Sequence, residues 1–325
     1  MSEARRSFEC FGGWASIAVL DPTNSEPDQT LADAEAFLLA AHRRLSRFLP
    51  GSELSRLNSD TRTTVPAEPL LLDLAAAARE AGELTDGMVD ATMVSEIEAA
   101  GYRDSMPAGP RGAVAAAGRE AAVPREAVHG PPKEQIEAPA GPSPERAWEK
   151  ISTDRASKTI SRPPGVAIDS GGIAKGLLAD QVASLLSQFP AFMVDCCGDI
   201  RIGGAACRPR PVRVESPFGG EAVHTLRVVR GGVATSGITR RSWRGADGAP
   251  AHHLLDPATG RPAFTGIVQA TALAPTAFLA DVHAKWALLS GPELGPSLLP
   301  FGGVLVLSDG SIEAVQPQAA VGAAT

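Results

Sequence analysis

No apolar run in these 325 residues approaches the roughly 20 that a bilayer-spanning helix needs, so the chain is not expected to cross a membrane. Its first residues, MSEARRSFECFGGW, carry no apolar signal segment, and Cys10 lacks the small, apolar lead-in of a lipidation site. Cysteine is scarce. Cys10, Cys196, Cys197 and Cys207 include one adjacent pair and no C-x-x-C, a pattern that argues against both a disulfide framework and a zinc site. A reduced, cytoplasmic protein is expected. An excess of positive charge is also missing: 30 Lys and Arg stand against 37 Asp and Glu, for a net charge of -7. Phosphate backbones call for a basic face, so nucleic acid is not the expected partner. What is present fits a soluble globular chain, with 44% hydrophobic and 21% charged residues. The 33 glycines and 27 prolines imply many turns and at least one loose segment.

The chain is organised around Val166–Leu186, VAIDSGGIAKGLLADQVASLL. The pattern predicts a short strand ending at Asp169, a turn at Gly171–Gly172, and a helix opening near Ile173. Ala174, Leu177, Leu178, Val182 and Leu185 would form the apolar face of that helix. Two glycines let backbone N–H groups approach a ligand, the helix start adds unpaired donors and a positive dipole end, and Lys175 adds a full charge. That combination suits a phosphate or pyrophosphate. The spacing matches neither G-x-x-x-x-G-K-[ST] nor G-x-G-x-x-G, and an ordinary strand-to-helix turn would look the same.

In chain order, Phe8–Leu20 predicts a strand with a bulge or close backbone approach at Gly12–Gly13. Helices are predicted over Asp28–Phe48 and Pro69–Leu84 and up to about Ala100, with Asp90 as an N-cap and Asn58 as a helix C-cap. From 105 to 147, Ala, Pro, Gly, Arg and Glu displace almost all large apolar residues, which predicts a flexible insertion. This divides the chain into 1–104, the insertion, an ordered part over 148–315, and a disordered tail over 316–325. Strands are predicted at Lys158–Ser161, Val166–Asp169, Ala191–Asp195, Pro211–Glu215, Thr225–Val229, Val233–Thr235, His252–Asp256, Val268–Leu273 and Gly303–Leu307, and a helix at Ala277–Leu289.

Three groupings could carry chemistry. His252–His253 with Asp256 joins the usual general base near neutral pH to a carboxylate able to orient it, although Asp-Pro-x-Thr-Gly is also simply a good turn. Asp281 and Lys285, four apart on one helix face, read as a surface ion pair or as a carboxylate aimed at a metal or phosphate. Thr235–Ser236–Gly237 offers donors or only a turn.

Eight stretches then occur in an order that resembles the ApbE family, the FAD:protein FMN transferases. They are FGG (Phe11–Gly13), SRFLPGSELSRLN (Ser46–Asn58), DGMVDAT (Asp86–Thr92), IDSGGIAKGLLAD (Ile168–Asp180), DCCGDI (Asp195–Ile200), ATSGITRR (Ala234–Arg241), HHLLDPATGRP (His252–Pro262) and ADVHAKWALLSG (Ala280–Gly291). The resemblance implies an α+β flavin-transferase fold, one globular unit interrupted by the insertion. It further implies Mg²⁺-assisted transfer of FMN from FAD to a Thr or Ser hydroxyl of an acceptor flavoprotein, with AMP leaving. Phe11, Asn58, Met88, Val89, Asp90, Asp169 and Lys175 would contact the flavin nucleotide. The Gly172 carbonyl and Asp281 fall at metal-ligand positions, His253 would deprotonate the acceptor, and Asp256 accompanies it. Where the family has Met-Gly-Thr, this chain has Phe-Gly-Gly, and its Gly-Gly-Asp turn is Cys197–Gly198–Asp199. Where the family completes the metal site with threonine, it has Lys285. An ammonium has no lone pair for a metal, so Mg²⁺ is expected to be weakly held, with Lys285 flanking it or replacing part of its charge. An FAD diphosphatase and a non-catalytic flavin-binding protein are the alternative functions.

Overall fold

Alternation of short apolar strands builds the frame. In the computed structural model, which describes residues 3–20, 27–105, 137–206, 208–245 and 248–318, eight strands form one antiparallel sheet in strict chain order. They are β1 (Glu3–Cys10), β2 (Gly13–Leu20), β3 (Ala191–Cys196), β4 (Asp199–Gly203), β5 (Gly231–Gly237), β6 (Ile267–Ala274), β7 (Gly303–Leu307) and β8 (Ile312–Val315). Because successive strands reverse direction, the connections after β1, β3, β5 and β7 all emerge at one end of the sheet. That end gathers the Phe11–Gly12 and Cys197–Gly198 turns and the long β5–β6 connection carrying Arg241 and His253. The Cys197 thiol donates to the Cys10 carbonyl at 3.0 Å, and Ser308 N donates to the Gly266 carbonyl at 3.0 Å, tying neighbouring turns together.

Between β2 and β3 the chain inserts α1 (Pro27–Leu45), α2 (Glu53–Ser59), α3 (Pro69–Leu84), α4 (Val94–Ala99) and α5 (Ala174–Leu185). A small sheet of Thr64–Pro66, Thr159–Ser161 and Ser152–Asp154 accompanies them. Leu31, Leu38, Leu74, Ala78, Leu178 and Val182 from these helices pack on Ile17, Val19 and Val194 of β2 and β3 as the largest core. A second core joins β6 and β7 to α6 (Ala277–Leu294), which connects them. Buried apolar surface stabilises such layers at roughly 25 cal/mol per Å².

The α5–α6 contact positions the chemistry. A Cβ on Gly176 would come within 2.7 Å of the Ala277 carbonyl oxygen, so only glycine lets the two helices meet there. Asp180 of α5 caps α6, its two carboxylate oxygens accepting from Ala277 N and Phe278 N at 2.9 Å each. Anchoring the start of one helix to the body of the other brings Lys175 and Asp281 to the same buried level.

Local readings need four adjustments. The predicted first strand is a hairpin: Phe11 takes a left-handed φ of 50° beside Gly12 at 67°, and the chain reverses instead of bulging. Val166–Asp169 joins no sheet. Its polar backbone is satisfied instead by Asn58 and Ala91, which substitute for a neighbouring strand. Asp90 caps no helix; it accepts from Thr92 N and Oγ1 in a tight turn two residues on. Part of the predicted insertion is fixed, because Ala138, Ala140 and Ser143 donate backbone bonds to the Phe264, Leu289 and Gly87 carbonyls. Composition alone could not reveal those partners. Residues 106–136, Cys207 and the end of the tail lie outside the described residues.

Candidate functional site

The end of the sheet where the turns gather opens into a cleft with two lobes, of about 720 and about 560 Å³. Tyr102, Asp169, Gly171 and Arg241 line both lobes and form their shared wall. The larger lobe is mainly apolar, walled by Met88, Val89, Ile97, Leu254, Leu255 and Leu289, with Asp90, Gly172, His253 and Lys285 at its polar end. The smaller lobe is aromatic and basic, with Phe11, His42, Arg47, Phe48 and Lys175.

The shared wall is held from behind. Asn58 Nδ2 donates to the Ile168 carbonyl, and Ile168 N donates to Asn58 Oδ1, both at 2.9 Å. Asn58 lines neither lobe; its amide donates one bond and accepts one in fixing the strand-like segment that presents Asp169. Asp169 N in turn donates to the Ala91 carbonyl at 2.7 Å, joining the wall to the Met88–Asp90 segment. The Asp169 carboxylate accepts from Gly171 N at 3.0 Å, capping the turn that leads into α5, and pairs with Arg47 Nε at 3.2 Å. Arg47 also lies 4.2 Å above the Phe48 ring and donates to the Tyr102 carbonyl. Across the cleft, Arg241 donates to the Phe11 carbonyl at 3.2 Å, and Phe11 N donates to His42 Nδ1 at 2.7 Å. Sequence reasoning gives Arg47, Tyr102, His42 and Arg241 no site role. Arg47 and Arg241 both lie inside the motifs quoted above, and their charge is the signal that marks them.

Two buried lysine–aspartate pairs stand beneath the cleft. Lys175 Nζ donates to Asp199 Oδ2 at 2.5 Å, and Lys285 Nζ donates to Asp281 Oδ1. Burial pulls the Lys175 ammonium down, but the Asp199 and Asp281 carboxylates outweigh it and leave the group above its usual value. Asp199 is pushed up to about 6 by burial and by the neighbouring Asp281 charge, against the pull of Lys175 and Lys285. Asp281 Oδ2 and Asp199 Oδ1 are buried without hydrogen-bond partners.

The adjacent histidines separate cleanly. His252 is in the core, 4.9 Å edge-on from Phe264, and burial lowers it to about 4. His253 faces the larger lobe, its Nδ1 3.4 Å from the Arg241 carbonyl. Burial first, then the Arg241, His252 and Lys285 charges, hold it well below the usual histidine value. Its ring is thus neutral at neutral pH, and with Nδ1–H directed at that carbonyl, Nε2 is the free base. Asp256 is not its partner. That carboxylate accepts from Gly141 N, Ala258 N and Thr259 Oγ1, so it closes the Asp-Pro turn and no hydrogen bond joins it to His253.

The Mg²⁺ implied by the family resemblance does not fit this donor set. Of Gly172, Asp281 and Lys285, the last is a cation, and its ammonium already lies on the Asp281 carboxylate. A dication on the other oxygen would stand about 4 Å from that ammonium, a repulsion of about 8 kcal/mol at an effective dielectric constant of about 20. Among the described residues, no group of three His, Cys, Asp or Glu side chains could hold a metal.

Comparisons with known proteins agree with this architecture. The ApbE family model matches residues 11–305. The FAD:protein FMN transferase of Haemophilus influenzae is 30% identical over 270 residues, covering 78% of this chain and 70% of its own. That of Escherichia coli is 27% identical over 303 residues, covering 90% and 79%. The crystal structure of the ApbE protein from Thermotoga maritima superposes with a TM-score of 0.75 at 24% identity, covering 96% of this chain and 97% of its own. The Pseudomonas stutzeri flavinyl transferase ApbE, in its apo form, gives 0.72 at 19% identity. These two solved structures share the fold, and the family model spans most of the chain. The chain belongs to the ApbE family.

Proposed function

We infer that the protein transfers FMN from FAD to a Thr or Ser hydroxyl of an acceptor flavoprotein. The observation that carries the reading is the two-lobed cleft, with the turn before α5 and Arg241 in the wall its lobes share, Lys175 lining the smaller lobe, and Lys285 and a neutral His253 lining the larger. A dinucleotide has two ring systems joined by a pyrophosphate, so its ends suit two lobes and its anionic link suits that wall. Gly171, Gly172 and the N-terminus of α5 offer N–H donors, and Lys175, Lys285 and Arg241 offer positive charge.

In the reaction, the acceptor oxygen attacks the flavin-side phosphorus while His253 Nε2 takes its proton. The P–O bond to the AMP side breaks, and AMP departs with the bridging oxygen and its electron pair. The lysines meet the charge that develops on that oxygen. Asn58 and Asp169 position the wall, and the apolar lobe excludes water that would otherwise compete with the hydroxyl. The sites of Phe11, Met88, Val89 and Asp90 along the lobes support their assignment as flavin-nucleotide contacts.

The described cysteines, Cys10, Cys196 and Cys197, are free thiols, which supports a cytoplasmic site of action as part of the same reading. No helix among the described residues is long and apolar enough to cross a membrane.

Mass spectrometry of a flavoprotein co-expressed with this chain tests the reading. FMN added at a Thr or Ser, with one AMP per modification, is the expected result. AMP release that proceeds equally without acceptor would make the protein an FAD diphosphatase, and FAD binding with no AMP would make it a flavin-binding protein.

A further inference from the structure

The geometry points to Lys285 as a built-in cation: its ammonium, seated on Asp281, replaces a divalent ion and shares the pyrophosphate charge with Lys175, so that FAD binding and transfer need no metal. The inference rests on the flavin-transfer reading and concerns the same site.

Lys285 projects from α6 among Ala280, Val282, Ala284, Ala287 and Leu288, all buried, and is itself only 8% exposed. Lysine is almost never so buried unless paired. A buried ion pair adds little stability over apolar side chains of the same size, so packing does not account for this one. The side chain does reach the cleft, lining the larger lobe beside Gly172 and His253. An ammonium has three donors; Asp281 takes one and leaves two for ligand oxygens.

Placement strengthens the case. Lys175 lines the smaller lobe and Lys285 the larger, with Asp169 and Gly171 lining both. A group that spans both lobes thus meets one ammonium in each. Each lysine is neutralised by its own aspartate, which balances the buried charge. A dication beside Asp281 would meet the Lys285 charge at short range, as the repulsion above shows. The carboxylate that a metal would need is therefore already held by the ammonium.

Calorimetric titration of the full chain with FAD, in EDTA and again with excess MgCl₂, tests the inference, alongside Lys285→Thr and Lys285→Arg. Wild type should bind FAD equally in both buffers, and AMP release in the presence of the co-expressed acceptor should continue in EDTA. Lys285→Thr should lose about 10–100-fold in FAD affinity in EDTA, the worth of one charged hydrogen bond, and recover it with MgCl₂. Lys285→Arg should stay independent of metal. Wild-type FAD affinity or AMP release that collapses in EDTA and returns with MgCl₂ would overturn the inference while leaving flavin transfer standing, and that arm needs no variant to fold. Absence of FAD binding in every buffer would reject the flavin reading itself, and the role of Lys285 with it.

Discussion

The two lysine–aspartate pairs carry the same charges but are assembled differently. Lys175 and Asp199 come from a helix start and a strand start, brought together only when α5 packs on the end of the sheet. Asp281 and Lys285 lie four apart on α6 and face each other as soon as the helix forms. The first pair therefore depends on the tertiary fold, whereas the second is pre-formed on its helix. One pair borders the aromatic, basic lobe and the other the apolar lobe beside His253. The contrast suggests a division of labour in which Lys175 anchors the ligand and Lys285 serves the reacting centre.

Perturbing the base sharpens that division most. His253→Ala should cut transfer roughly 10²–10⁴-fold in a turnover assay while FAD affinity stays nearly intact. Since burial and the Arg241, His252 and Lys285 charges depress His253, it stays deprotonated as the pH falls past 6.5, and the acid limb of the rate profile should lie well below that value. Lys285→Met should move this limb upward and Lys175→Met should not. If both shift it equally, the two pairs do not divide their roles.

Stability distinguishes the pairs next. Lys175→Met leaves Asp199 buried and unpaired, at a cost of about 3–5 kcal/mol in denaturant unfolding, and adding Asp199→Asn should restore much of it. Asp199, at about 6, binds a proton more tightly in the fold than in the unfolded chain, where its value is the ordinary 3.8. Its contribution to stability therefore grows as the pH falls through about 6, and the Lys175→Met loss should be smaller at about pH 5 than at about pH 8.

His252 is a control outside both pairs. Its fall from 6.5 to about 4 means the unfolded chain binds its proton first on acidification. Stability is fully present above 6.5 and should decline by about 3 kcal/mol as the pH drops toward 4. His252→Gln should flatten that slope, as thermal unfolding across pH would reveal. Asn58→Ala should have the smallest effect, about 1–3 kcal/mol, with a modest loss of FAD affinity through a loosened Asp169.

Legibility in the sequence followed the range of the interactions. Asp281–Lys285 could be found from its spacing, and the Gly171–Gly172 turn before Lys175 from its chemistry. The Lys175–Asp199 partnership could not, because no local pattern links a helix start to a strand 24 residues on. Asn58 looked like a helix cap, yet its partner Ile168 lies 110 residues away. Asp256 reads as the orienter of His253 because they are near in sequence, but its carboxylate is taken by its own turn and by the distant Gly141 N. The β3 and β7 strands are legible as apolar runs between turn residues, whereas β4, Asp199–Gly203, is not, because its start reads as part of the Cys197–Gly198 turn. The meander order of the sheet was not, since long insertions separate strands that pair.

The most direct test of the account is a titration of the wild-type protein, in EDTA, with FAD, FMN and riboflavin. If the pyrophosphate between Lys175 and Lys285 is the principal anchor, FAD should bind most tightly and riboflavin about 100-fold or more weaker, as loss of two charged contacts implies. Riboflavin binding as tightly as FAD would contradict the claim that the two lysines and the wall between the lobes hold the ligand.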